Sequence, residues 1–148
     1  MLSAEAAGTP SFSYRWNHTL TCPFSRPASL NYAPFPTDEE RPLFGPTHIS
    51  DVPFAFGNLD LMPLGNGTCN ATQAEHQLSK QIRASWTAMA VHGNPSAGKL
   101  QWPRFKSGSE KGVVFNDKAH VGAIDFAECR FWGRIWNDLS GAKLPFLD

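Results

Sequence analysis

The sequence has few charged residues and no long apolar segment. Charged side chains make up 18% of its 148 residues, whereas ordinary soluble domains contain about 25%. The 13 basic residues balance the 13 acidic ones, so we expect no basic surface that would attract a nucleic acid or an acidic lipid. No apolar run approaches the ~20 residues that a membrane-spanning helix needs. The composition argues against nucleic-acid binding and against a membrane span, and the length fits one domain.

Metal-ligating residues are also sparse. The chain contains five His and three Cys, and none of its histidines lies at a metal-ligand spacing from another His or Cys. We therefore expect neither a metal nor another cofactor. Four of the histidines are interpreted as structural or surface residues: His18, His76, His92 and His120.

Residues 1–8 do not predict a signal peptide, because they have neither a basic start nor an apolar stretch. Three N-glycosylation sequons nevertheless begin at Asn17, Asn66 and Asn70, and such acceptors have meaning only in the secretory route. We expect a secreted glycoprotein whose own beginning precedes this chain.

The cysteines agree with a secretory context. Cys22 and Cys69 each lie in a loop rich in proline, asparagine and threonine, and they could pair with each other. Cys129 lies in a helical pattern and is left over, so it would need a partner outside this chain. The alternative for Cys129 is a buried free thiol.

Residues 11–16 predict a β-strand because apolar and polar side chains alternate. Phe12, Tyr14 and Trp16 fall on one face. Residues 17–46 have no periodicity and many prolines, so they predict a loop of about thirty residues, far beyond the usual length of about 2–6. Loops of that length tend to be functional or to belong to a larger body.

A first amphipathic helix is predicted after residue 72. Thr72 and Glu75 form a capping box, and Gly93 follows the last turn, where a glycine ends helices. Apolar side chains recur at helical spacing and define one stripe. Its members are Leu78, Ile82, Trp86, Met89 and Ala90.

A hairpin and a second helix follow. Residues 112–115 and 121–124 predict two short strands around a turn at 116–118. The second helix is predicted to begin at Asp125, with Glu128 completing a cap, and to end before Gly141. Its apolar stripe consists of Cys129, Trp132, Trp136 and Leu139. We expect three tryptophans to be core residues: Trp86, Trp132 and Trp136.

These elements are a poor inventory for a self-contained fold. A single good strand needs neighbours of comparable length, and this one has none. The pattern therefore indicates the outer pieces of a larger α/β domain.

One segment places an ionisable ring beside an apolar patch. Residues 45–57 read Gly-Pro-Thr-His-Ile-Ser-Asp-Val-Pro-Phe-Ala-Phe-Gly, and the two prolines predict a shaped loop rather than a helix. In such a setting His48 can be oriented and dried, as a general base requires.

This segment resembles the catalytic-His region of the type-B carboxylesterase/cholinesterase family, with an acid three residues after the His and a Phe-x-Phe-Gly ending. The resemblance covers about residues 11–140. It includes, in the family's order, the Tyr-Arg-Trp strand, the helix with Trp86 and its Gly-Asn-Pro end, Trp102-Pro103, and the Cys-Arg-Phe-Trp helix. The insertions around Cys22 and Cys69 are most similar to those of secreted fungal members.

The resemblance implies an α/β-hydrolase fold with a Ser-His-Glu or Ser-His-Asp triad, of which this chain would be the C-terminal part of a single domain. His48 would be the general base. Nucleophile and acid precede the His in this fold, and no Gly-x-Ser-x-Gly or glycine-rich oxyanion segment is present here, so the chain alone should be inactive. Asp51 would be a structural neighbour rather than the triad acid. Cys129 would be half of a family disulfide whose partner precedes this chain.

Two other classes of function are compatible with the sequence. The same fold serves as a cell-surface adhesion module, and the residue at the upstream nucleophile position would separate that reading from an esterase. A short remnant that binds another chain is the third possibility, and it would expose apolar surface on the Trp86 and Trp132 helices. The resemblance implies that the acyl and alcohol pockets are built largely from segments upstream of this chain.

Overall fold

The described part of the chain forms a three-stranded sheet with helices packed beside it. The computed structural model describes residues 7–22, 39, 43, 45–62 and 70–141. In chain order the elements are β1 (Tyr14–Trp16), α1 (Val52–Phe56), a 3-10 turn (Leu59–Leu61), α2 (Gln73–His92), β2 (Lys111–Phe115), β3 (Ala119–Ala123) and α3 (Ala127–Ser140). None of the helices in these ranges is long and apolar enough to cross a bilayer.

The sheet has the order β1-β2-β3, with β1 parallel to β2 and β3 antiparallel to β2. Tyr14 pairs with Val113, and the hairpin aligns Phe115 with Ala119. The predicted hairpin is therefore confirmed, with strands shifted by one or two residues from the predicted bounds.

One edge of β1 carries no partner strand within the described ranges. The Ser13 carbonyl accepts from the Val113 N–H (3.1 Å), and the Asn17 N–H donates to the Phe115 carbonyl (2.9 Å). Successive residues of a strand point their backbone groups to opposite edges, so those of Tyr14 and Trp16 face away from β2. That edge could accept another strand.

The core lies between the sheet and the two helices α1 and α2. Phe54 of α1 is 0% exposed, and the Ser79 hydroxyl of α2 donates to its carbonyl (2.8 Å). The Trp102 indole N–H donates to the carbonyl of Ser13 (2.9 Å), the residue directly before β1, and so attaches the Trp102 side chain to this strand. The buried cluster comprises Phe54, Leu59, Leu78, Ile82, Leu100, Trp102, Val113 and Phe115, with Phe12, Trp16 and Trp86 packed against it.

The first predicted helix is confirmed at both ends. The Thr72 hydroxyl accepts from the Glu75 N–H (3.2 Å), and Glu75 Oε2 accepts from the Thr72 N–H (2.7 Å). Gly93 ends α2 in the left-handed conformation, with φ of 66°. Only the first half of the predicted stripe is buried, as Leu78 is 3% exposed whereas Met89 is 41% exposed.

The segment after His48 is partly helical, so the prediction of a loop without helix is wrong there. Pro53 is the second residue of α1, a position whose N–H needs no intrahelical acceptor. The ring therefore fits the first turn, and Gly57 ends the helix with φ of 73°.

The second predicted helix begins later than expected, and its stripe is not core. α3 starts at Ala127 without a side-chain cap from its N-cap residue, while Asp125 accepts from the Ala127 N–H (2.7 Å). Trp132 is 65% exposed and Trp136 is 59% exposed, which corrects their assignment to the core. Trp86 is partly buried against the core, as predicted.

Candidate active site

His48 lies in a tight turn directly before α1. The Ser50 N–H donates to the Thr47 carbonyl (3.2 Å), which places His48 and Ile49 at the two central positions of a β-turn, residues 47–50. We call these residues the His48 turn. Ile49 has φ of 59°, a conformation that is costly for a β-branched residue and that persists only where its surroundings enforce it.

The imidazole of His48 is exposed on this turn, and no residue in the described part of the chain hydrogen-bonds to it. Both ring nitrogens can therefore meet groups from outside these residues. An imidazole presented in this way can exchange a proton with a group that is brought to it.

Two hydrogen bonds of Ser50 tie the His48 turn to the sheet. The Trp16 indole N–H of β1 donates to Ser50 Oγ (2.7 Å), and the Ser50 hydroxyl donates to the Thr47 carbonyl (2.7 Å). Ser50 is 0% exposed. The turn is thereby held in a fixed relation to β1.

Asp51 is engaged by β1 rather than by His48. Its Oδ2 accepts from the Tyr14 hydroxyl (3.0 Å). Burial raises the pKa of Tyr14 to about 12, and the charge of Asp51 and this hydrogen bond add to the shift. The raised pKa extends to higher pH the range in which Tyr14 is protonated and donates to Asp51.

A second ionisable cluster, which the sequence did not point to, lies at the start of α2. His18, read as a residue of a sequon, is 7% exposed, and its Nε2 lies 3.2 Å from Glu75 Oε1. Its Nδ1 lies 3.3 Å from Asp117 Oδ1. The capping box identified Glu75, but only the approach of residues 18–21 to α2 buries its carboxylate. No group of three metal-ligating side chains is suited to a metal among the described residues.

The remaining predicted positions are dispersed. Asn17 and Asn70 are exposed, and Asn66 lies outside the described residues. Cys22 is 3% exposed, whereas Cys69 lies outside the described residues, so their pairing stays a prediction. Cys129 is exposed, and the alternative of a buried free thiol is wrong.

Solved structures place this architecture in a known fold. A structure of PNB esterase matches with a TM-score of 0.59 and 25% identity, over 87% of this chain and 23% of that chain. An esterase from Clostridium hathewayi matches with a TM-score of 0.57 and 23% identity, over 80% of this chain and 19% of that chain; its low identity supports the fold alone. The chain is thus a partial α/β-hydrolase fold.

The sequence comparisons define the family. The model of the carboxylesterase family matches residues 1–132, and the chain therefore belongs to that family. The para-nitrobenzyl esterase of Bacillus subtilis is 28% identical over 74 residues, which are 50% of this chain and 15% of that protein. The chain spans about a fifth of the solved relatives it matches.

Proposed function

We propose that this chain supplies the general base, His48, of a serine carboxylic ester hydrolase, and that it forms the C-terminal part of that enzyme's single domain. The observation that carries the proposal is the presentation of His48 on an exposed turn that is bonded to the strand before it. Membership in the carboxylesterase family supports the reaction class.

The open edge of β1 supports a larger domain. No strand in the described ranges pairs with the backbone groups of Tyr14 and Trp16 on that edge. β1 also holds the His48 turn, because the Trp16 indole N–H donates to Ser50. A strand added there would extend the sheet on the side of β1 that faces away from β2. In this fold the nucleophile and the acid come from such neighbouring strands.

The chemistry assigned to His48 is proton transfer. As a serine oxygen attacks the ester carbonyl carbon, the imidazole takes the hydroxyl proton and then gives it to the departing alcohol, leaving an acyl-enzyme. His48 next takes a proton from water, whose oxygen attacks the acyl carbon, and returns it to the serine as the carboxylic acid leaves. Oxyanion donors would come from outside this chain.

The first test uses the isolated chain. Without nucleophile and oxyanion donors, it should neither hydrolyse a p-nitrophenyl ester nor react with a fluorophosphonate probe. Turnover by the 148-residue chain that disappears in His48→Ala would contradict the assignment of the nucleophile to another segment.

The second test is a chimera in which this chain replaces the matching segment of the Bacillus subtilis para-nitrobenzyl esterase. The chimera should hydrolyse a p-nitrophenyl ester, and His48→Ala should lower kcat by about four orders of magnitude. His92→Ala is the matched control, because His92 is also exposed but lies at the end of α2. A folded chimera that is inactive, or whose turnover survives His48→Ala, would refute the proposal.

A binding remnant without catalysis predicts a different result. The exposed tryptophans of α3 agree with a binding remnant, because such a protein is expected to expose apolar surface. They fit an incomplete esterase domain equally well, and the chimera separates the two. A remnant would leave the chimera inactive even though its fold, measured by circular dichroism and thermal unfolding, matched that of the parent esterase.

A further inference from the structure

Ser50 carries a hydroxyl group that joins two segments of the chain. It lies two residues after His48, is 0% exposed, and both donates and accepts a hydrogen bond of 2.7 Å. A fully buried hydroxyl with two short bonds contributes to stability and also fixes the geometry of the groups it joins. Here those groups are the Thr47 carbonyl and the Trp16 indole.

The indole side of this contact is rigid. The Trp16 ring packs edge-on against Phe54, with centroids 4.8 Å apart, and against His18 at 5.7 Å. Trp16 is also paired in register with Phe115 of β2. Its N–H is therefore a fixed point of the sheet from which the His48 turn can be positioned.

The turn side is strained. Ile49 follows His48 with φ of 59°, and a β-branched residue leaves this region when nothing holds it there. The Ser50 hydroxyl and the Ser50 N–H both donate to the Thr47 carbonyl, so the two bonds close the turn around His48 and Ile49. Loss of the hydroxyl would remove one of these bonds and the anchor to Trp16 together.

We propose that Ser50 is a positioning residue for His48, which acts by fastening the His48 turn to the Trp16 indole. The role rests on the proposed function, since it concerns the direction of the general base. Ser50 touches neither substrate nor reacting atoms. It holds the backbone from which the imidazole projects, and a displacement of about 1 Å in such a group costs up to about 10²-fold in rate.

The first measurement tests the hydrogen-bond link without any activity. In the 148-residue chain, Ser50→Ala should speed hydrogen exchange of the Trp16 indole N–H by about 10-fold, as the loss of about 1.4 kcal/mol of local protection implies. The His48 ring resonances should shift as well. Ser79→Ala is the matched control, because Ser79 is 2% exposed and its hydroxyl also donates to a carbonyl, that of Phe54.

The second measurement tests the consequence for catalysis. In the active chimera, Ser50→Ala and Trp16→Phe should each lower kcat about 10- to 100-fold with KM nearly unchanged. The double variant should be no slower than the slower single one, because both changes break the same contact. Ser79→Ala should lower the free energy of unfolding about as much as Ser50→Ala does. It should nevertheless leave kcat within about 2-fold of the value for the unmodified chimera.

The outcomes separate the two proposals. Unchanged indole exchange in Ser50→Ala would overturn the link, and faster exchange with unchanged kcat in a folded chimera would overturn the positioning role. An inactive chimera with His48 intact would instead refute the proposed function. In that case exchange at Trp16 and the His48 shifts still decide whether Ser50 holds the turn.

Discussion

Among the described glycines, Gly112 has the least room for a side chain. A Cβ there would lie 2.5 Å from the Ser13 carbonyl oxygen and would overlap the Ile124 side chain. The Ser13 carbonyl already accepts from Val113 and from the Trp102 indole. The close approach of β1 and β2 at this point therefore requires glycine.

We predict that Gly112→Ala lowers the free energy of unfolding by more than about 3 kcal/mol, because backbone must move to admit the methyl group. Gly122→Ala is the control: Gly122 is paired with Gly112 across the hairpin, and its nearest neighbour would be Val114 Cγ2 at 3.3 Å. That change should cost about 1 kcal/mol or less. If urea unfolding gave equal losses of stability for the two variants, the contact between β1 and β2 at Gly112 would be looser than the structure shows.

Single residues also mark where sequence reasoning ended. His48 is proposed from its motif, and the catalytic role assigned to it stays a prediction. Ser50 and Trp16 gave no signal as a pair, because the hydrogen bond joins residues distant in sequence. Only the folded chain brings the indole to the hydroxyl.

The N-terminal turn of α2 depends on one buried carboxylate. Glu75 is 2% exposed, and it accepts from the Thr21 N–H (2.8 Å) and the Thr72 N–H (2.7 Å). Burial alone would raise its pKa, but hydrogen bonds from His18, Thr21 and Thr72 outweigh burial and lower the pKa to about 2. The ordinary value is 4.5.

This shift predicts a pH dependence of stability. A carboxylate with a depressed pKa stabilises the fold above its unfolded value of 4.5, and the contribution is lost as pH falls from there toward about 2. The shift corresponds to roughly 3 kcal/mol. Glu75→Gln should lower stability at pH 7 by an amount of that order and remove this acid dependence. Glu128 is an exposed glutamate in the first turn of α3, and Glu128→Gln should change neither the stability nor its pH dependence. The test is urea unfolding of the unmodified protein and of both variants at several pH values. If the stability of all three varied with pH in the same way, the assignment to Glu75 would be contradicted.

The outer face of α3 makes a different prediction, because little of it is buried. Trp132, Trp136 and Leu139 are 65%, 59% and 81% exposed, and Arg130 pairs with Glu110 to hold the helix start near the hairpin. Replacing Trp132 and Trp136 by Ser should reduce the binding of a hydrophobic dye and change unfolding free energy by about 0.5 kcal/mol at most. Trp102→Phe, at a residue only 6% exposed, should cost more than about 1 kcal/mol because the indole bond to Ser13 is lost. Dye binding that is unchanged in the α3 variant would mean that the apolar surface lies elsewhere.

At the scale of the element, local patterns predicted α2 well and α3 poorly. A capping box and a C-terminal glycine act within one helix, so the bounds of α2 could be read from the sequence. Burial of an apolar stripe needs a second surface. The stripe of α2 has α1 and the sheet for part of its length, whereas no described element covers that of α3.

At the scale of the whole molecule, the sequence predicts a disulfide between Cys22 and Cys69. The structure buries Cys22 and does not describe Cys69. If the two are joined, the closed loop should contribute about 4 kcal/mol through the unfolded state. Peptide mapping under non-reducing conditions should recover a Cys22–Cys69 peptide, with Cys129 free to react with a thiol reagent. Recovery of Cys22 as a free thiol in the folded chain would disprove the pairing.

The sequence by itself determined the family, the caps of α2 and the pairing of the hairpin, because each depends on a local motif or on a short spacing. Tertiary structure decided which apolar stripes are buried, that His18 and Glu75 meet, and that Trp16 fastens Ser50 beside His48. These features depend on contacts between segments far apart in the chain, and a local pattern carries no information about which distant surface will meet it.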